Sequence, residues 1–260
     1  MEAVNLTQSP LKACLFILRF SSIELMEDFY IPTIQDKYRK EGLPVFVKQK
    51  VEDLSTHGEI EKQKNWVFSD LEKNNLVIVN KEAFAFQTFT YKNFDEFQNK
   101  FLHYFEIFAQ ITEFYQNNIL EFAGLRYINA IEGNNWQLYL NKSYQGINFP
   151  EGVIDTDYIQ YNALYAQGTT EIGLANKGNL VVKTLQNSQG FLFPPDILLL
   201  DPQIEKKGKF VTLLDIDHFS LLKIKINDKS FLENISSSLH KACEKVFFNA
   251  ITEKAVEKWR

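Results

Sequence analysis

Residues 93–115 read NFDEFQNKFLHYFEIFAQITEFY. Phe94, Phe97, Phe101, Tyr104, Phe105, Phe108, Ile111 and Tyr115 recur at steps of three and four, the spacing that puts side chains on one face of an α-helix. Asn93 is placed to cap it, and Asp95 and Glu96 favour its positive N-terminal end. A stripe of rings this wide must be buried against something broad and apolar. The flanking segments supply short runs with strand character. Residues 66–70, 76–80 and 83–91 read as three antiparallel strands joined by tight turns at Lys73-Asn74-Asn75 and Asn80-Lys81-Glu82. Residues 124–131, GLRYINAI, read as another strand.

Working outward, residues 11–20, LKACLFILRF, form an apolar run interrupted by Arg19, expected to be a strand buried on both faces. Ser21-x-x-Glu24 reads as a capping box opening a helix that Pro32 kinks and Gly42 ends. A strand over 43–51 and a polar loop over 52–64, containing His57-Gly58, come next. Beyond Gly133 the chain is irregular, with a short strand over 136–140 and a turn at Phe149-Pro150. Runs at 158–173, 179–186, 197–200 and 210–226, punctuated by Gly168, Gly178, Gly190 and Gly208, predict a meander. Ser230-x-x-Glu233 then opens a closing helix through 256, with Phe231, Ile235, Leu239, Cys243, Val246 and Phe247 on its buried stripe.

The pattern is α+β. Two antiparallel sheets are expected, each covered by a long amphipathic helix: a ferredoxin-like half over 1–132, and a meander with its C-terminal helix over 133–260. No Gly/Ser/Pro-rich linker divides the halves, so they are expected to pack as one unit.

Composition narrows the functional classes. The 260 residues include 28 Lys and Arg against 33 Asp and Glu, a net charge of −5, and hydrophobic residues make up 45%. Such a chain is neither disordered nor drawn to nucleic acid or anionic membranes by its overall charge. The acidic Glu2 and the short apolar run near Cys14 do not read as a signal peptide, and no stretch approaches a membrane span. Cys14 and Cys243, each within an apolar segment, read as reduced core residues, so a cytoplasmic location is expected. No motif calls for a cofactor or a bound metal, and no nucleophile elbow, phosphate loop or zinc pattern occurs.

Two constellations carry chemistry. In Asp215-Ile216-Asp217-His218, the two carboxylates alternate onto one face of a strand, roughly 6–7 Å apart at the backbone. With His218 they would suit Mg²⁺ or Mn²⁺ and phosphoester chemistry; the alternative is a charged strand edge that discourages aggregation. Arg19 and Arg126 occupy matching triplets, Leu18-Arg19-Phe20 and Leu125-Arg126-Tyr127. A guanidinium within an apolar strand binds an anion or pairs with a carboxylate, and Asn129 would add an amide nearby.

The segments PLKACLFILRF, GLRYINAI and LHKACEKVFFNAIT together resemble a sporadically distributed, uncharacterised family of bacterial proteins of about this length. The resemblance is carried by Pro10, Leu11, Arg19 and Phe20, by Leu125, Arg126, Tyr127, Ile128 and Asn129, and by His240, Phe247, Ile251 and Thr252. It implies sheet and helix at those places and attaches no activity, cofactor or catalytic residue. Taken together, the sequence reads as a non-catalytic factor that acts through contacts with another protein or with a second copy of itself. The alternatives are the metal-dependent phosphoesterase and a carrier whose aromatic pocket encloses a small apolar ligand.

Overall fold

The computed structural model describes residues 6–54, 60–145, 164–171, 177–187, 190–201 and 210–260. His57-Gly58, Phe149-Pro150 and Gly208 lie outside the described residues, as does much of the strand expected over 158–173. The chain runs through β1 (Leu11–Phe20), α1 (Tyr30–Lys40), β2 (Val45–Leu54), β3 (Ile60–Ser69), β4 (Asn75–Val79), β5 (Ala83–Thr88), α2 (Phe94–Ile111), α3 (Phe114–Asn117) and β6 (Leu120–Glu132). It continues through β7 (Leu164–Glu171), β8 (Lys177–Asn187), β9 (Val211–Ile224), α4 (Ser230–Ala250) and α5 (Glu253–Trp259).

The protein is α+β, but its strands build one sheet where two were expected. Among the described residues nine strands lie in the order β2-β3-β4-β5-β1-β6-β9-β8-β7, every neighbour antiparallel. The fusion follows from β1 and β6. Both are apolar on their two faces, and they pair along nearly their whole length, with Ile17 opposite Gly124. In the first half the α1 crossover leads to the far edge of the sheet, and β1 lies between β5 and β6, the two strands that flank α2.

The two halves are related by a half-turn about the β1–β6 seam. Leu18 of β1 pairs with Phe84 of β5 as Leu125 of β6 pairs with His218 of β9; Ile17 pairs with Ala85 as Gly124 pairs with Phe219. Leu18-Arg19-Phe20 therefore falls on Leu125-Arg126-Tyr127, so the repeated triplet marks equivalent places. The equivalence extends to the helices, because Phe84 packs on Phe105 of α2 and His218 bonds the Leu239 carbonyl of α4 at the same chain spacing.

The helices α1, α2 and α4 share one face of the sheet. The rings of α2 interlock with those of the strands: Phe16 and Phe101 have centroids 4.5 Å apart, Phe84 and Phe105 5.3 Å, and Phe86 and Phe97 5.4 Å. Tilted and edge-on geometries dominate, as ring quadrupoles favour. Tyr38 of α1 packs edge-on against Phe68 and donates its hydroxyl to the Tyr104 carbonyl at 2.8 Å. Gln98 ties α2 to α4 through Ser236 Oγ at 2.8 Å. On the opposite face a smaller cluster forms where Leu192, Phe193 and Ile197 cover Ala13, Ile128, Ala130, Val211 and Leu213.

Several local expectations change. The helix expected after Ser21 begins at Tyr30, preceded by a 3-10 turn over Glu24–Met26. Pro32 therefore falls in the first turn of α1, where its missing N–H breaks no intrahelical bond. The polar stretch 52–64 is not simply a loop, because β2 and β3 pair as far as Leu54 and Ile60. A mostly polar run at a sheet edge looks loop-like until the partner strand is known. Within 136–140 the chain forms a 3-10 turn over Trp136–Leu138 instead of a strand, and 197–200 belong to an irregular segment. The closing helix breaks at Ile251, whose backbone bridges to Leu140, and restarts behind Thr252, which accepts the Ala255 N–H.

Candidate functional site

A cavity of about 650 Å³ opens between the helical layer and the sheet. Tyr127 and Asn129 of β6 and Ile216 of β9 form its floor; Tyr91 and Phe94 at the start of α2 form one wall; His240, Cys243 and Phe247 of α4 form the other; Thr7 and Gln8 flank the mouth. Each residue is positioned by an ordinary rule. Tyr127 and Asn129 share the helix-side face because they are two apart in a strand. His240 and Cys243 lie one turn apart on α4. Asn93 fixes the start of α2 by accepting the Glu96 N–H at 2.8 Å, which holds Phe94 at the rim.

The polar floor is tightly joined. The Tyr127 hydroxyl lies 2.9 Å from His240 Nδ1, and the imidazole stacks on Phe94 at 4.0 Å, only 8° from parallel. Tyr91 stands edge-on to Tyr127 at 5.8 Å. Asn129 is buried and donates Nδ2 to the Leu214 carbonyl at 3.1 Å.

Burial keeps these groups uncharged. It pushes the Tyr127 and Tyr91 hydroxyls up, and the neighbouring Cys14 thiol raises both further. It raises the Cys14 thiol, assisted by Cys243 and opposed by a bond from Tyr127, and it raises Cys243 too. It depresses His240 to about 4, so the imidazole is neutral at physiological pH. The cavity thus offers aromatic surface and neutral hydrogen-bonding groups, with neither a thiolate nor an imidazolium. Such a lining suits holding a molecule better than attacking one.

The residues singled out in sequence are divided between the two faces. Arg126 is on the face away from the cavity, where Nε and Nη2 donate to Asp215 at 2.8 and 2.7 Å and Nη1 and Nη2 reach Asp196. Burial opposes the guanidinium charge, but its bonds to Asp215 and Asp196 outweigh that and raise its pKa. Asp217, opposite Arg126 in register, is raised to about 6 by burial, with Arg126 pulling it down and Asp215 pushing it up. His218 points to the helix side, where Nδ1 lies 3.1 Å from the Leu239 carbonyl oxygen. Asp215, Asp217 and His218 are therefore not brought to one point, and no group of three His, Cys, Asp or Glu residues among the described residues is placed to hold a metal. Arg19 is exposed with its guanidinium 5.4 Å from the Phe122 centroid. Asn129 alone of the earlier candidates reaches the cavity. His103 is exposed on α2, 3.3 Å from Glu41.

Sequence reasoning missed Tyr91, Tyr127, His240 and Cys243 as a group, because they come from three elements and share no spacing. The usable signal was local: a His and a Cys one turn apart on an otherwise apolar stripe. Asp196 follows Pro194-Pro195 in an irregular segment and carried no signal at all.

No protein-family model matches this chain, and no curated protein matches it. Among the described residues, no helix is long and apolar enough to cross a membrane.

Proposed function

We propose that this chain is a non-catalytic, cytoplasmic binding protein that holds a small, largely apolar ligand in the cavity between β6 and α4. The observation that carries this reading is a space of about 650 Å³, lined by Tyr91, Phe94, Tyr127 and Phe247, in which burial keeps Tyr127 and His240 neutral and leaves Lys92 and Glu244, both exposed, at the rim. Its volume is within the range of sites for drug-sized molecules. Two buried, unpaired cysteines support a reducing compartment. The segments resembling the sporadic bacterial family supply part of the floor and wall, Tyr127, Asn129, His240 and Phe247. Membership in that family belongs to the same proposal.

N-Phenyl-1-naphthylamine, which fluoresces on entering apolar sites, tests this. Saturable binding to the wild type is expected, with loss in Glu244→Trp, which puts a large ring at an exposed helical position on the rim. Absence of saturable binding, or undiminished binding by the variant, would refute the reading.

A protein-contact role is favoured by a separate feature. Leu25 and Phe29 are 59% and 65% exposed on consecutive turns ahead of α1. Paired exposed apolar side chains of this size suit an interface with a partner protein or a second copy. Light scattering behind size exclusion tests self-association: a concentration-dependent dimer lost in Phe29→Ser supports it, and a monomer at every concentration removes the dimer form.

A further inference from the structure

The half-turn that relates β1 to β6 assigns the cavity a counterpart in the other half, and that counterpart is filled by the chain itself. Tyr127 on the cavity floor corresponds to Phe20, and His240 on its wall corresponds to Glu106. The residues entering β1 at the mouth, Thr7 and Gln8, correspond to Phe114 and Tyr115 entering β6. In the filled half, Phe114 is fully buried and stands edge-on to Phe20 at 5.2 Å. Tyr115 donates its hydroxyl to the Glu106 carboxylate. Glu113, in the left-handed region at φ 51°, turns the chain sharply so that both rings point inward. At the equivalent place, Thr7 and Gln8 are exposed and contribute no ring, and the cavity lies there instead.

We infer that the cavity takes a phenol, with the aromatic ring lying where Phe114 and Tyr115 lie in the other half and the hydroxyl meeting His240. This rests on the binding role proposed above and narrows it to a ligand class. Three features support it. The Nδ1 atom of His240 is engaged by Tyr127, whereas Nε2 has no partner among the described residues. A phenolic hydroxyl both donates and accepts, so it satisfies either tautomer of a neutral imidazole. The exposed faces of Phe94, Tyr91 and Phe247 surround the ring position with aromatic surface, as Phe105 and Phe108 surround Phe114.

The test compares 4-ethylphenol with ethylbenzene by calorimetric titration of the full chain, in the wild type and in His240→Phe. The variant keeps a ring to stack on Phe94 and removes the nitrogen. The wild type is expected to bind 4-ethylphenol about ten-fold more tightly than ethylbenzene, the order of one neutral hydrogen bond. In His240→Phe the two should bind about equally. Equal binding of the two probes by the wild type overturns the inference without needing the variant to fold. So does a preference that survives in a folded His240→Phe. If neither probe binds while N-phenyl-1-naphthylamine still does, the phenol assignment fails and the binding role stands. If none of the three binds, both fail.

Discussion

Arg126 and Asp215 meet through two parallel hydrogen bonds, although in the β6–β9 register Arg126 stands opposite Asp217 and Asp215 opposite Ile128. The guanidinium reaches diagonally, and among the described residues its hydrogen bonds go to Asp215 and Asp196 and not to Asp217. Asp215 is 1% exposed, and the fork supplies hydrogen bonds to both of its buried carboxylate oxygens. Arg126→Met should therefore destabilise the fold by about 3–5 kcal/mol, the cost of stranding a buried charge. Asp196→Asn, on a side chain 63% exposed, should cost under about 1 kcal/mol. Urea denaturation separates the two, and similar losses would contradict this division.

Gly124 lies at the seam because nothing larger fits. A Cβ there would come within 2.8 Å of Phe122 Cε1 and 3.2 Å of Phe219 Cβ. Those two rings stack at 5.3 Å over the position. Gly124→Ala should lose about 1–3 kcal/mol through overpacking. Adding Phe122→Leu should restore part of that loss, which thermal melts of the single and double variants would show.

Two buried groups oppose each other in acid. Asp217 has a folded pKa of about 6, above its unfolded value near 3.9. The folded state holds the extra proton between those limits, so this contribution is present in acid and is lost as the pH rises through 6. His240 has a folded pKa of about 4, below its unfolded value near 6.5. Its contribution is present above 6.5 and is lost as the pH falls towards 4. Asp217→Asn should accordingly gain about 1–2 kcal/mol at pH 8, an advantage that shrinks by pH 4, whereas His240→Phe should flatten the decline between pH 6.5 and 4. Chemical denaturation across that range would reveal either slope with the wrong sign.

Thr252 caps α5 and also donates its hydroxyl to the Leu138 carbonyl at 2.6 Å. Thr252→Ala should cost about 1–2 kcal/mol, and Thr252→Ser should recover most of it, because only the oxygen is used. A melt in which Ser behaves like Ala would point to the methyl group instead.

The sequence disclosed what depends on one element at a time. The ring stripe over 94–115, the Asn93 cap and the core strands at 11–20 and 124–131 follow from periodicity and capping chemistry; the structure places the cap and both strands there but ends the helix at Ile111, and Tyr115 falls on the short α3 instead. Whether two strand sets make one sheet or two depends on whether β1 pairs with β6. That pairing is a non-local choice which alternation on a single strand does not encode. The break at Ile251 was hidden because the apolar period continues through it, while the bridge to Leu140 comes from a segment over 100 residues upstream. The site was less legible than the fold. Asp215, Asp217 and His218 stand out as neighbours in sequence, yet His218 directly follows Asp217 in the strand and so faces the opposite side from both carboxylates. The cavity instead gathers isolated residues from β6, α2 and α4, and its counterpart is recognisable only after the half-turn has been found.

The most direct test of the central claim is a ¹⁵N and aromatic ¹³C NMR titration of the wild type with N-phenyl-1-naphthylamine. Saturable shifts confined to Tyr91, Phe94, Tyr127, Asn129, His240 and Cys243, with none at the filled counterpart around Phe20 and Glu106, are the predicted result. Shifts spread over the exposed Leu25–Phe29 surface, or no saturable shift at the cavity, would contradict it.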